Sequence, residues 1–535
     1  MTTATVYLLT PEIVLIAAAV AIYLGGAFSE ARQAWSWIAG IAVLLAAAAL
    51  VAQPPSALVS GPLNLDALAW CGRWLALAFG ALFVLLAFRP LPLDGASEYL
   101  GSLLLTIAGL MLVAEAGDLV LLFVSLELIS IPTYVLLYLG RHDAQSQEST
   151  VKYFFLSVLS SAILLYGFSF LYGIGGSTEL GVIRAVLANA TALPAGFQAF
   201  TKVALALIFA GLCFRITAVP FHFYAPDVYQ GTTYPNAALL SVIPKAAGLV
   251  AMTRLLVVAM PGLEPYGWHA VLVVSILTMT LGNVLALWQD DLRRLLAYSS
   301  IAHAGYMLIG LAVGLATGNA PGSWNGVAAM GFYLVPYAVA TLGAFAVLEH
   351  LGRPQRRLHG VEELAGLGRT RPAAAAVLAA FLFSLTGVPG LAGFWGKFWL
   401  FGSALNVDGR AADENMQWWF TGLAIAGVLN AAVAAAYYLR LVAVMYFRTP
   451  LATPRAQGSA GAWWAAVACA VLVVLMGLCP GPLMREANYA SQRLQAASRV
   501  GPLSPPSQET KPPPQSAPRL GVAAHPTTIL YGASP

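Results

Sequence analysis

Residues 373–406 read AAAAVLAAFLFSLTGVPGLAGFWGKFWLFGSALN, an apolar stretch with glycines, a proline and one lysine in its middle. A straight membrane crossing takes about 20 apolar residues, so this stretch is too long for one straight helix. Pro389 removes a helical hydrogen-bond donor, and Gly387 and Gly390 allow backbone angles outside the helix. The stretch therefore predicts a membrane helix that is broken near Pro389, with Lys397 close to the break.

A second overlong stretch, residues 202–232, carries a similar motif. Residues 214–220 read FRITAVP and residues 383–389 read FSLTGVP, so Phe, Thr, Val and Pro recur in one register. Many transporters consist of inverted repeats in which broken helices meet near the middle of the membrane. The motif predicts two five-helix repeats with one broken helix each, the seventh and the twelfth of the chain. Because five is odd, the second repeat is inverted relative to the first.

The rest of the chain has the composition of a polytopic membrane protein. Of its 535 residues, 59% are hydrophobic and 9% are charged, whereas roughly 25% are charged in soluble domains. The net charge of +4 is too small and scattered for a nucleic-acid-binding surface. Lipid offers the backbone no hydrogen-bond partner, so the apolar runs must be helices and the fold class is all-α. About fourteen transmembrane helices are predicted, at 10–28, 35–52, 70–88, 99–114, 119–139, 153–173, 202–232, 237–259, 270–288, 295–314, 327–348, 373–406, 417–447 and 462–480.

These helices divide the chain into five parts. They are a three-helix membrane segment at 1–98, the first five-helix repeat at 99–260, the second repeat at 261–447, a last transmembrane helix at 448–484, and a proline-rich tail at 485–535. We expect the tail to be extended or disordered, since proline-rich segments rarely fold alone.

Basic residues predict the orientation, because cytoplasmic loops accumulate Lys and Arg. With both termini on the outer side, the outer loops hold Arg73, Arg184 and Arg410. The inner loops then hold Arg32, Arg89, Arg141, Lys152, Arg293, Arg294, Arg353, Arg356, Arg357, Arg369, Arg371, Arg448 and Arg455.

Charged residues inside spans are the candidate functional residues. A charge at mid-membrane costs about 2.5–3.5 kcal/mol on insertion scales, so it usually faces a polar interior and has a function. Glu127 is the carboxylate well inside a span, whereas those near span ends are Glu12, Glu115, Asp118 and Glu349. Glu127 is either a titratable group governed by a nearby cation or a structural carboxylate that pairs helices.

Lys245 and Lys397 are the candidate proton carriers. Lys245 follows Pro244, and a lysine near a carboxylate can hold or release a proton as their separation changes. Lys245 could instead have a structural role, and Lys397 could instead reach the outer interface. Arg215 stays protonated, so it can set the local potential but should not shuttle protons.

Three further residues could belong to a proton relay. His222 and His303 could carry protons or could only hydrogen-bond neighbouring helices. Lys152 is either a cytoplasmic proton inlet or a positive-inside anchor. The remaining cations within spans are Lys202, Arg254 and Arg440. We expect their long side chains to reach the membrane interface, so they need no functional role. The sequence shows neither a nucleotide-binding fingerprint nor a metal-ligating cluster, so we predict no cofactor in this chain.

The chain resembles the antiporter-like membrane subunits of respiratory complex I (NADH-quinone oxidoreductase), and the subunit N, or chain 2, type in particular. The stretches that carry the resemblance are SLELISIPTYVL at 125–136, VKYFFLSVLSSAILLYGFSFLYG at 151–173, FRITAVPFHFYAPDVYQG at 214–231, SVIPKAAG at 241–248, DLRRLLAYSSIAHAGYMLIG at 291–310 and SLTGVPGLAGFWGKFWLF at 384–401. The resemblance implies proton translocation in a bacterial inner membrane, coupled to quinone reduction elsewhere in the complex. It also implies that partner subunits hold NADH, FMN, iron–sulfur clusters and quinone.

The resemblance also implies residue roles. Glu127 is similar in position to the family's fifth-helix glutamate, Lys152 to its sixth-helix lysine, Lys245 to its eighth-helix lysine and Lys397 to its twelfth-helix lysine. Arg215 departs from the pattern, because the seventh-helix residue is usually lysine. Alternatives are a multisubunit cation/proton antiporter subunit, a hydrogenase-linked or ferredoxin-linked relative, and a membrane scaffold without transport activity.

Overall fold

A computed structural model describes residues 3–29, 32–56, 61–88, 95–141, 143–188, 195–260, 264–318, 324–352, 358–407, 415–450 and 458–499. Within these ranges the chain is all-α, and β pairing is limited to isolated bridges. The α-helices are α1 Thr3–Leu8, α2 Thr10–Gly26, α3 Arg32–Val51, α4 Ala67–Ala87, α5 Ala96–Glu115, α6 Leu119–Gly140, α7 Ala144–Gly175, α8 Leu180–Ala188, α9 Ala195–Ile216, α10 Ala225–Gly231, α11 Tyr234–Met252, α12 Glu264–Leu287, α13 Leu292–Ala316, α14 Gly326–Leu351, α15 Leu367–Thr370, α16 Pro372–Thr386, α17 Ala392–Leu405, α18 Met416–Phe447, α19 Ala460–Leu478 and α20 Gly481–Arg499. Twelve helices of the described residues are long and apolar enough to cross a membrane, which confirms the all-α polytopic class.

Both overlong segments are interrupted, as their glycines and prolines predict. The first becomes α9 and α10, and the second becomes α16 and α17. Thr217 ends the first half-helix in the left-handed region, with φ of 61°. Gly387 ends the corresponding half-helix of the second segment with φ of 96°, a conformation that costs glycine little.

The same helix start occurs twice in the chain. Asp118 caps α6 and Asp291 caps α13, each through hydrogen bonds from the first backbone N–H groups of its helix. The backbone of each capping residue also pairs with a segment further along the chain, the one after α7 for Asp118 and the one after α14 for Asp291. Asp118 forms an isolated bridge with Glu179, and Asp291 forms one with Gly360. The two helix starts are therefore anchored in the same way.

Three helices form the centre of the bundle. α11, α13 and α14 are buried along almost their whole length, whereas α7 and α18 expose an apolar face. A helix that is apolar all round is expected at the centre of a membrane bundle. α6, α11 and α14 each contain one interior proline, at Pro132, Pro244 and Pro336. Each proline leaves the carbonyl four residues earlier without its helical donor.

The structure corrects the prediction for the start of the tail. Residues 485–499 are helical as part of α20, with Met484, Ala490 and Leu494 buried at helical spacing. This apolar stripe packs on α4 and α14, and tertiary packing of an amphipathic face stabilises a short helix. The proline-rich stretches 501–506 and 511–518 lie outside the described residues.

Two arginines also lie deeper than predicted. Arg73, assigned above to an outer loop, is part of α4 and is 2% exposed. Arg254, expected to reach the interface, is 0% exposed in the π-helix Thr253–Ala259 that continues α11. Arg73 pairs with the buried carboxylate of Glu12 and Arg254 with the largely buried carboxylate of Asp66, and the sequence pattern indicated neither pairing.

Candidate functional site

An ion pair between α6 and α9 forms the first part of the site. Arg215 Nη2 donates a hydrogen bond to Glu127 Oε1 at 2.8 Å, and its Nη1 donates to Ser130 Oγ at 2.7 Å. Ser161 Oγ, from α7, donates to the same carboxylate oxygen at 2.5 Å. The Arg215 side chain is 6% exposed and that of Glu127 is 21% exposed. Glu127 and Arg215 therefore form an ion pair, and residues of three helices hold it.

Lys245 is the second element, on α11 directly after Pro244. It is fully buried, and its Nζ donates to Thr217 Oγ1 at 2.8 Å. Thr217, whose backbone is in the left-handed region at the first break, thus accepts this bond from Lys245 through its hydroxyl. Within the described residues, Thr217 is its hydrogen-bond partner, and an ammonium has three N–H donors. Two of them remain available to water or to a moving side chain.

Lys397 is the third element, on α17 after the second break. Its Nζ donates to the carbonyls of Leu385 and Thr386 at 2.9 and 2.8 Å. These carbonyls end α16, where the helix dipole places partial negative charge. Lys397 is 5% exposed, and its Nζ lies 4.9 Å from the centre of the Tyr306 ring. It points into the protein and not towards an interface.

A chain of hydroxyl groups and one imidazole lies between the two lysines. His303 Nδ1 is 2.6 Å from the hydroxyl of Tyr333, and its Nε2 is 3.1 Å from the hydroxyl of Tyr438. One helical turn earlier on α13, Ser300 Oγ is 2.8 Å from the hydroxyl of Tyr337. All of these side chains are buried.

The polar groups extend to the backbone of both helices that carry the lysines. Tyr337 donates a hydrogen bond to the Ser241 carbonyl at 3.1 Å, one turn before Lys245 on α11. At the other end, Tyr333 packs against the backbone beside Lys397, because a Cβ at Gly396 would lie 2.2 Å from its ring. The His303 ring lies 5.0 Å from that of Tyr337, and its Nδ1 is hydrogen-bonded to the hydroxyl of Tyr333. The structure therefore places His303 between Lys245 and Lys397.

A small polar cavity lies between the start of α7 and the short helix α10. Its volume is about 130 Å³, and Lys152 and Asp227 line it. Lys152 Nζ donates to Asp227 at 3.1 Å, and Arg294 Nη1 donates to the other oxygen of Asp227 at 2.6 Å. Lys152 is partly exposed, with a side-chain exposure of 41%. His222 stands apart, since in the described chain its buried Nδ1 has no hydrogen-bond partner.

Sequence reasoning missed several members of this site. Tyr333, Tyr337 and Tyr438 were not singled out, and neither were Thr217 and Asp227. The tyrosines did carry a signal, because tyrosine in membrane proteins concentrates at the interfaces. A tyrosine in the middle of a span has to find a hydrogen-bond partner inside the protein.

Comparison with known proteins identifies the family. Residues 116–413 match the family described as NADH:quinone oxidoreductase/Mrp antiporter, TM. The chain is 38% identical over 391 residues to NADH-quinone oxidoreductase subunit N of Granulibacter bethesdensis, covering 73% of this chain and 78% of that protein. It is 37% identical over 488 residues to the subunit N of Anaeromyxobacter sp., covering 87% and 92%.

A solved structure leads to the same family. A chain of respiratory complex I from Thermus thermophilus with bound aureothin matches with a TM-score of 0.72 at 33% identity, covering 89% of this chain and 98% of that chain. These matches confirm the resemblance inferred from the sequence: the chain belongs to the NADH-quinone oxidoreductase subunit N family of antiporter-like membrane proteins.

Proposed function

We propose that this membrane subunit of a bacterial NADH-quinone oxidoreductase moves protons through Glu127, Arg215, Lys245, His303 and Lys397. The observation that carries the proposal is that two hydrogen-bonded groups of buried side chains, Tyr337 with Ser300 and Tyr333 with His303, lie between the helices of the two lysines, with the His303 and Tyr337 rings 5.0 Å apart. Buried ionisable groups in a membrane mark proton pathways by default. Quinone reduction and the redox cofactors belong to partner subunits.

The ion pair acts as the switch. Arg215 packs on α11 near Lys245, because a Cβ at Gly248 would lie 3.5 Å from the Arg215 Cβ. While Glu127 holds the guanidinium, its charge is compensated. When the pair separates, the uncompensated guanidinium repels the ammonium of Lys245 and favours release of its proton. A conformational change elsewhere in the complex would supply the work that separates the pair.

The released proton then moves along the hydroxyl groups to Lys397. A hydroxyl both donates and accepts hydrogen bonds, and imidazole has one nitrogen for each role, so both can pass a proton on. Tyr337 and Ser300 lead from α11 to α13, and His303 with Tyr333 leads on to α17. The helix-end carbonyls of Leu385 and Thr386 favour the protonated form of Lys397.

Lys152 and Asp227 form the proposed cytoplasmic inlet, which agrees with both termini lying on the outer side. This orientation rests on the distribution of Lys and Arg. The inverted five-helix repeats are supported by the two anchored helix starts at Asp118 and Asp291. Five crossings separate them, namely α6, α7, the α9–α10 pair, α11 and α12, so the two anchors would face opposite sides of the membrane.

Replacing Lys245 by alanine in the intact complex tests the proposal. We expect proton pumping per NADH oxidised to fall by at least tenfold in proteoliposomes, since one site of the path is removed. Lys202→Ala is the matched control, because Lys202 lies exposed on α9 away from the chain of polar groups. Unchanged pumping in a fully assembled Lys245→Ala complex would contradict the proposal.

The family description also names Mrp antiporters, which makes cation/proton exchange the second candidate. Sodium-dependent proton exchange by vesicles without NADH would favour the antiporter function. We expect no such exchange.

A further inference from the structure

A second buried ionic cluster lies away from the polar chain, at the ends of α2, α4 and α5. Its members are three carboxylates, Glu12, Asp66 and Glu115, and two guanidinium groups, Arg73 and Arg254. Four of the five residues are at most 2% exposed, and the Asp66 side chain is 11% exposed. Nothing in the proposed pathway uses these residues.

Each guanidinium has its own carboxylate. Arg73 Nε and Nη2 donate to the two oxygens of Glu12 at 2.8 and 3.0 Å. Arg254 Nη1 and Nη2 donate to the two oxygens of Asp66 at 2.5 and 2.7 Å. Paired N–H···O bonds of this kind are the strong geometry for arginine and carboxylate. Two of the three carboxylates are therefore fully matched by charge.

The other donors of these arginines are also engaged. Arg73 Nη1 donates to Gln53 Oε1 at 3.0 Å, and its Nη2 also donates to the carbonyl of Leu8 at 2.8 Å. Arg254 Nη2 additionally donates to the carbonyl of Ala114 at 2.5 Å. None of these N–H groups donates a hydrogen bond to Glu115.

Glu115 is the carboxylate left over. Its Oε1 lies 2.7 Å from Arg73 Nε, but that nitrogen has one hydrogen and donates it to Glu12. Across the described chain, neither oxygen of Glu115 receives a hydrogen bond.

A buried carboxylate without donors is among the least favourable groups in a protein interior. Protonation removes its charge and creates a donor. Glu12 is the natural acceptor, since Arg73 Nε lies 2.8 Å from an oxygen of Glu12 and 2.7 Å from an oxygen of Glu115, which places the two carboxyl groups side by side. Two carboxyl groups that share a site do not readily ionise together.

We propose that Glu115 is a proton-binding site: a neutral carboxylic acid that shares its proton with Glu12. The proposal stands independently of the pathway through Lys245. The ionic cluster and the proposed pathway nevertheless share one continuous helical segment, which carries Lys245 and, nine residues later, Arg254. At roughly 1.5 Å per residue, the two positions are about 14 Å apart along the helix axis. The π-helix at Arg254 is a geometry often found at functional sites.

Infrared spectroscopy of the intact purified complex, in H₂O and in D₂O, tests this. We expect a carbonyl band of a protonated carboxylic acid that shifts in D₂O and is lost in Glu115→Gln. Because glutamine is also neutral, this variant should assemble and reduce quinone at the rate of the unchanged complex. Glu12→Gln should lose the band as well, since Glu115 then ionises and pairs with Arg73.

Glu179→Gln is the control, because Glu179 is exposed and its replacement should leave the band in place. A band that persists in assembled Glu115→Gln would overturn the proposal, and so would a band that does not shift in D₂O. If Glu115→Gln does not assemble, persistence of the band in Glu12→Gln overturns the proposal and its loss supports it.

Discussion

The two broken helices carry related sequences but hold their cations differently. At the first break, a carboxylate from another helix neutralises Arg215, and the hydroxyl of Thr217 receives Lys245. At the second break, Ser384 occupies the position of Arg215 in the motif. There Lys397 is held by the backbone carbonyls that end α16.

The cation at the first break, Arg215, can therefore move relative to its partner, whereas Lys397 at the second break is held in a fixed position. Two side chains can part without unfolding a helix, so the ion pair at the first break can open and close. The carbonyls at the second break are part of the helix end and cannot move away from Lys397 unless α16 shifts. The first unit is therefore suited to switching, and the second to receiving a proton.

The largest expected effect concerns the movable pair. Arg215→Ala leaves Glu127 without its cation, and breaking a buried ion pair costs about 3–5 kcal/mol. We expect the lower end of that range, because Glu127 is 21% exposed. The melting temperature of the purified complex and proton pumping should both fall.

Two variants serve as comparisons for this change. Arg215→Lys keeps the positive charge and should retain pumping. Ser384→Ala, the matched change at the second break, removes a hydrogen bond from the Gly393 N–H and should cost about 1 kcal/mol. Equal effects of Arg215→Ala and Ser384→Ala would refute the contrast between the breaks.

A smaller effect is expected where Tyr333 meets the second break. Gly396→Ala places a methyl group 2.2 Å from the Tyr333 ring, and overpacking of this kind typically costs about 1–3 kcal/mol. The displaced ring should lose its contact with His303, so pumping should fall more than quinone reduction does. Gly248→Ala meets the Cγ2 methyl of Ile216 near the first break, and we expect it to leave pumping closer to normal.

The smallest effect compares the two motif threonines. Thr217→Val removes the acceptor of Lys245, a loss of about 1.5 kcal/mol for a hydrogen bond to a charged group. Thr386→Val should have little effect, because Lys397 uses the Thr386 backbone carbonyl and the hydroxyl only donates to Leu382. Initial proton-pumping rates should drop several-fold in the first variant only, and Thr217→Ser should restore them.

The features that could be predicted from the sequence are those indicated by residues close together in the chain. Glycine and proline inside an overlong apolar run indicated both breaks, and an isolated carboxylate in a span indicated Glu127.

Features that depend on contacts between distant positions were missed. Arg254 was expected to reach the interface, but it pairs with Asp66, 188 positions away. Arg73 was assigned to an outer loop although it lies within the predicted span 70–88, and in α4 it pairs with Glu12 of α2, 61 positions away. Neither partner is predictable without knowing which helices pack together.

Pro336 makes α14 easier to bend between two of the tyrosines that lie between Lys245 and Lys397. It stands on α14 between Tyr333 and Tyr337, and it leaves the carbonyl of Phe332 without a helical donor. Proline is the commonest origin of a sharp kink, so α14 bends most easily at this level. Bending there changes the distance between the two phenols while every charge stays in place. In the proposed pathway, the angle of this one helix would therefore be enough to interrupt proton transfer between Lys245 and Lys397.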